Sequence, residues 1–97
     1  MPAAYVLAQV KLTDDDAFQE YKTKVPESVI RYGGEYLVRA GRWQKLEGED
    51  PLPRMVVMKF ESFEQALKWY HSDEYQALKD VRGKAAFGNL WLVEGVE

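Results

Sequence analysis

The chain has 97 residues, of which 46% are hydrophobic and 30% charged, with 13 basic and 16 acidic side chains and a net charge of −3. This is the composition of one soluble globular domain spanning 1–97, and with no basic block it argues against nucleic acid or an anionic membrane as partner. There are no cysteines, which excludes disulfides, thiolate nucleophiles and Cys-ligated metals. The first residues lack a basic segment followed by an apolar run, and no stretch approaches a membrane span, so the expectation is a cytoplasmic protein.

Ala4 to Leu12 reads as a strand. Ala4, Val6, Ala8, Val10 and Leu12 fall on one face, and Tyr5, Leu7, Gln9 and Lys11 on the other. Thr13 followed by Asp14, Asp15 and Asp16 is a helix start, a hydroxyl cap with carboxylates in the first turn. Ala17, Phe18, Tyr21 and Val25 recur at helical spacing. Pro26 is expected to kink or interrupt that helix at Val25, because it removes a donor and crowds the preceding turn. Gly33-Gly34 supplies a left-handed stop.

Glu35 to Ala40 is the second strand. Strict alternation places Tyr36, Val38 and Ala40 on one face and Leu37 and Arg39 on the other. Gly41 is read as a bulge, with Arg42 to Glu47 continuing the strand, and Gly48 to Pro53 is a turn by composition. In the third strand, Arg54 to Phe60, Val56, Met58 and Phe60 oppose Met55, Val57 and Lys59. Ser62-Phe63-Glu64-Gln65 matches a capping box, with Gln65 reaching back to the Ser62 amide. Phe63, Ala66, Leu67 and Tyr70 form the stripe of the next helix. Ser72-Asp73-Glu74 restarts or redirects it, Tyr75, Leu78 and Val81 turn inward, and Gly83 loosens the chain. Phe87 to Glu94 is the last strand, with Leu90 and Leu92 opposite Asn89, Trp91 and Val93.

The order βαββαβ with right-handed crossovers predicts an α+β, ferredoxin-like sandwich, a four-stranded antiparallel sheet with two helices on one face and strands one and three central. Val6, Val10, Val38, Val56, Met58, Phe60, Leu90 and Leu92 form an apolar face for the helices. The other face carries Tyr5, Leu7, Leu37, Met55, Val57, Trp91 and Val93, interrupted by Gln9, Arg39, Lys59 and Asn89. A face that greasy marks an interface. The expectation is a homodimer with sheets facing each other.

Tyr5 to Val10, Tyr32 to Arg39, Trp69 to Lys79 and Leu90 to Gly95 together resemble the DUF1330 family over essentially the whole chain. That family is similar to the dimeric α/β-barrel superfamily, whose members pair two ferredoxin-like sheets around a central space. The superfamily includes cofactor-free monooxygenases, haem-handling enzymes, isomerases and proteins with no assigned reaction, so the resemblance implies an architecture more than an activity. Family members often carry Arg-Gly-Gly where this chain has Arg39-Ala40-Gly41. They often carry Asn in the slot of His71 and Pro in that of Asp73.

His71, the only histidine, is either a general acid or base, with Asp73 or Glu74 to orient it, or a surface residue bonding helix-end carbonyls. Arg39 suits a carboxylate or enolate oxygen through its planar fork of donors, or else an ion pair to Glu94 or a loop acid. Gln9, Lys59 and Asn89 fit either a ligand pocket or a wet interface rim. Tyr5, Trp43 and Trp91 supply an apolar wall for a small organic acid or aromatic compound, or pack the dimer. Tyr32 lends a phenol to the site or anchors a helix end. Arg54 follows Pro53 as a cation at the barrel mouth or as a solvated arginine. Asp14, Asp15 and Asp16 lack metal-loop spacing, and Gly33-Gly34 is not a phosphate loop. No metal and no cofactor is expected. Two functions remain open: a homodimer binding or transforming a small organic molecule by acid–base or oxygenase-type chemistry, and a non-catalytic dimeric binding or stress-related module.

Overall fold

The computed structural model describes residues 2–96. The elements are β1 (Ala4–Leu12), α1 (Asp15–Arg31), β2 (Glu35–Arg39), β3 (Arg54–Phe60), α2 (Phe63–His71), α3 (Asp73–Ala85) and β4 (Ala86–Glu94). The strands form one antiparallel sheet in the order β2-β3-β1-β4. β1 and β3 are therefore central, as the connectivity predicts, and the architecture is the expected ferredoxin-like α+β sandwich.

The helices cover one face only. Val6, Met58 and Phe60 pack with Val25, Val29, Ala66, Trp69, Tyr75 and Leu78 in the main core, and Ala8, Val10, Phe18, Ala85 and Ala86 form a second cluster. The Cα atoms fill a slab of 37 × 36 × 16 Å, and 16 Å is the depth of one sheet and one helix layer. Trp69, which falls outside the stripe expected for α2, is fully buried, whereas Leu67 is 36% exposed. The Trp69 indole donates to Ser28 Oγ at 3.1 Å, and that hydroxyl donates to the Val25 carbonyl at 2.8 Å. The buried serine is thereby satisfied in both directions.

Several local expectations are corrected. The cap of α1 is Asp14, whose carboxylate accepts from the Ala17 amide at 3.0 Å, and not Thr13. The amides of both residues bond the Ala85 carbonyl. α1 runs through Pro26 without interruption. Gln65 completes only half of a capping box: its backbone amide donates to Ser62 Oγ at 3.0 Å, but its side chain donates to the Tyr32 carbonyl at 2.8 Å. Ser72 does redirect the helix, closing α2 and capping α3 through Tyr75 N at 3.1 Å. Gly83 lies inside α3. Gly88 is the glycine that matters in β4: a Cβ there would sit 2.0 Å from the Gln9 carbonyl oxygen, so no side chain fits between β4 and β1.

β2 ends at Arg39, and Arg42 to Glu47 form no strand. The irregularity expected at Gly41 falls earlier. Tyr36 pairs with Met58, but the next registered pairs are Val38 with Val57 and Arg39 with Val56, leaving Leu37 as the extra residue of a bulge. A one-residue slip exchanges faces. Val38 thus joins Val57 on the open face, and Arg39 joins Val56 on the helix face, the reverse of the alternation read from sequence. Ala40 then takes a left-handed φ of 56° while its amide donates to the Met55 carbonyl at 2.8 Å.

Candidate functional site

The bulge turns Arg39 into a cleft between α1 and the sheet. Ala8, Val10, Val56, Met58 and Leu90 supply sheet residues, Phe18, Tyr21, Lys22 and Val25 come from α1, and Arg39, Arg54, Arg82 and Tyr36 complete the lining. Its volume is about 30 Å³, room for one or two waters. None of the lining residues is acidic.

Each guanidinium lies against an aromatic ring. Arg39 Cζ is 4.9 Å from the Tyr36 centroid, Arg54 Cζ 5.3 Å from Phe18, and Arg82 Cζ 6.0 Å from Tyr21. Such stacking fixes the position of a charge without an acidic partner. Arg39 Nη2 donates to the Lys22 carbonyl at 2.8 Å, and Arg82 Nη1 to Tyr75 Oη at 3.0 Å. Among the described residues the ion pairs are Lys24–Glu20, Arg31 with Glu27 and Glu74, and Lys45–Asp50, and none involves the cleft arginines. Burial and then the charge of Arg39 pull the Arg54 guanidinium below its usual range.

Tyr21 Oη and Tyr75 Oη share a hydrogen bond of 2.9 Å. Burial first, then the neighbouring phenol, holds Tyr21 well above the usual tyrosine range, and burial raises Tyr75 and Tyr36 as well. These phenols stay neutral near pH 7 and offer donors rather than negative charge.

The residues named from sequence are distributed over several places. His71 ends α2, is exposed, and sets its ring edge-on to Tyr70 at 5.2 Å. It borders a different cleft, of about 230 Å³, beside Leu67, Trp91 and Leu92. That cleft has only Leu90 in common with the arginine cleft, so His71 and Arg39 do not face one cavity. Tyr5, Gln9, Lys59, Asn89 and Trp91 lie on the open sheet face. There Tyr5 is opposite Lys59, Gln9 opposite Asn89, and Trp91 opposite Leu7. Gln9 Oε1 also accepts from the Leu52 amide at 3.3 Å. Tyr32 caps the end of α1, and Trp43 donates from Nε1 to the Pro53 carbonyl at 2.8 Å.

Tyr21, Lys22, Tyr36 and Arg82 are not legible as site residues from sequence, and Arg54, expected as a cation at the barrel mouth or in solvent, lines the cleft instead. A signal existed for two of them. Arg54 shares parity with Val56 and Met58, and Arg82 follows Tyr75 and Leu78 at helical spacing.

Among the described residues no three His, Asp or Glu side chains cluster as metal ligands, and no helix is long and apolar enough to cross a membrane. No curated protein matches the chain. Among solved structures it is similar to a protein of unknown function from Rhodopseudomonas palustris, with a TM-score of 0.79, 14% identity, and coverage of 99% of this chain and 84% of that one. It is also similar to SnoaB, a cofactor-independent oxygenase from Streptomyces nogalater, with a TM-score of 0.68, 5% identity and coverage of 100% and 96%. A dimeric protein of unknown function and ferredoxin-like fold from Bacteroides fragilis aligns with a TM-score of 0.55, 13% identity and 95% of each chain. At these identities the likeness establishes the fold. A family model described as a domain of unknown function, DUF1330, matches residues 3–96, and the chain therefore belongs to the DUF1330 family.

Proposed function

We propose that this protein is a homodimer, paired through the open face of its sheet, that binds a small organic molecule in the cleft between α1 and the sheet. The observation that carries the binding reading is the cleft itself: an apolar floor with convergent guanidiniums and phenols that have few protein partners. A concave apolar surface with a few oriented polar groups is the ordinary form of a ligand site. The dimer reading is supported by the uncovered sheet face, where Leu37, Val38, Trp91 and Val93 each leave 40 to 50% of their surface exposed.

Binding stands ahead of turnover. Acid–base or oxygenase chemistry needs a group to accept a proton, and the cleft has no imidazole or carboxylate among its lining residues. Its phenols are held neutral by burial. His71 borders the other cleft, which leaves the acid–base scheme with its proton carrier and its cation apart.

The test is a thermal-shift screen over small acids, phenols, amides and neutral aromatics. A ligand that binds only the native state raises the melting temperature. The expected result is a hit weakened by Arg82→Met and unaffected by the exposed, distant Lys68→Met. Failure of every ligand class to raise the melting temperature would refute the binding reading.

A further inference from the structure

We propose that the cleft between α1 and the sheet is a carboxylate site, and that its ligand is a small organic monocarboxylate with a compact apolar body. This rests on the placement of the ligand in that cleft argued above. The chain carries three more acidic than basic residues, yet Arg39, Arg54 and Arg82 meet there from β2, β3 and α3 with no acid among the lining residues.

Like charges in a half-buried site repel one another and lose hydration. Such a cluster is stabilised by an anion. Arg39 and Arg82 each spend a guanidinium donor on the protein, and the Arg54 guanidinium has no hydrogen-bond acceptor among the described residues. A guanidinium has five N–H donors in a planar fork, so most of the donors in the cleft remain available. That fork matches the two oxygens of a carboxylate.

Tyr21 adds a neutral donor. Its hydroxyl meets Tyr75 Oη, which already accepts from Arg82. If Tyr75 gives its proton to Tyr21, the Tyr21 proton is left to point toward the cleft. The space of about 30 Å³ holds one or two waters, so the body of the ligand enters only where a side chain moves. The sides formed by Val10, Val25 and Val56 suit a short branched hydrocarbon. Arg39, the exposed member of the trio, is the group that must leave the Lys22 carbonyl to admit that body.

The experiment titrates the full chain with sodium isobutyrate, isobutyramide and inorganic phosphate at constant ionic strength. Amide chemical shifts and the melting temperature are followed together. The expected result is saturable binding of isobutyrate, with shifts centred on Tyr21, Arg54 and Arg82, and at least tenfold weaker binding of isobutyramide and phosphate. Arg54→Met and Arg82→Met should each weaken isobutyrate at least tenfold, and Lys68→Met should not. If Arg54→Met does not fold, Arg82→Met decides. Equal binding of isobutyramide or phosphate, or isobutyrate binding indifferent to Arg82→Met, overturns the carboxylate assignment and leaves the small-molecule reading standing. Absence of binding by isobutyrate and by every ligand of the broader screen overturns both.

Discussion

The guanidinium of Arg39 donates to the carbonyl of Lys22 at 2.8 Å, the oxygen that a residue other than Pro26 would bond from its own amide four residues on. Pro26 lies inside α1 and has no amide proton. Arg39 therefore supplies from β2 the donor that the helix lacks. This replaces part of what the proline removes from α1, and it gives Arg39 a structural task beside any contact with a ligand.

The pair should be coupled. Pro26→Ala restores the helical amide and relieves the crowding of the preceding turn, so it should stabilise the protein by about 1 kcal/mol or more. Arg39→Met alone should cost about 0.5–1.5 kcal/mol for one lost hydrogen bond. In the double variant most of that cost should vanish. Urea unfolding of the four proteins checks this, and additive effects would mean that the contact does not replace the missing bond.

Ala40→Gly should stabilise. Alanine at φ 56° bears the left-handed penalty of roughly 1–2 kcal/mol that glycine avoids, offset in part by the greater freedom of glycine in the unfolded chain. A net gain of about 0.5–1 kcal/mol in chemical denaturation is expected. A loss of stability would show that the residue is not strained.

Ser28→Ala should cost about 1–3 kcal/mol, because it strands the buried Trp69 N–H without a partner. Urea unfolding followed by tryptophan fluorescence reads both the stability and the indole environment. An unchanged midpoint would contradict the buried relay from Trp69 through Ser28 to the Val25 carbonyl.

Stability should fall in alkali. Burial holds the Tyr21 and Tyr75 phenols above the ordinary value of 10.0 in the folded state. Past pH 10 the unfolded chain sheds these protons while the native state keeps them. The native state then binds more protons, and the free energy of unfolding decreases with rising pH. Below about pH 9 the pair has no effect. Denaturant melts between pH 8 and 11 should show the decline, and Tyr21→Phe should flatten it. A flat wild-type profile would contradict the burial of the pair.

Much of the fold is legible because β1, β3 and β4 keep strict alternation. Val6, Met58 and Leu92 face the helices as their parity requires, and helix starts are written in Ser62 and Ser72. β2 breaks the rule through a bulge at Leu37 that no glycine marks, and that single extra residue moves Arg39 to the other face. The cleft was hidden for the same reason. Its arginines come from β2, β3 and α3, distant in sequence, and each is positioned by an aromatic ring that periodicity reads only as core. The open face is readable in β1, β3 and β4, where Leu7, Val57 and Trp91 pair directly, but not in β2, where Val38 joins it and Arg39 leaves it.

In the proposed dimer, that face is the one a second copy covers. Sedimentation of the wild-type chain beside Leu7→Asp and Val57→Asp tests it most directly, because each carboxylate would be buried unpaired between the sheets. The expected result is a wild-type dimer, with both variants monomeric or unfolded. A wild-type monomer at micromolar concentration, or folded dimers from both variants, would contradict the pairing.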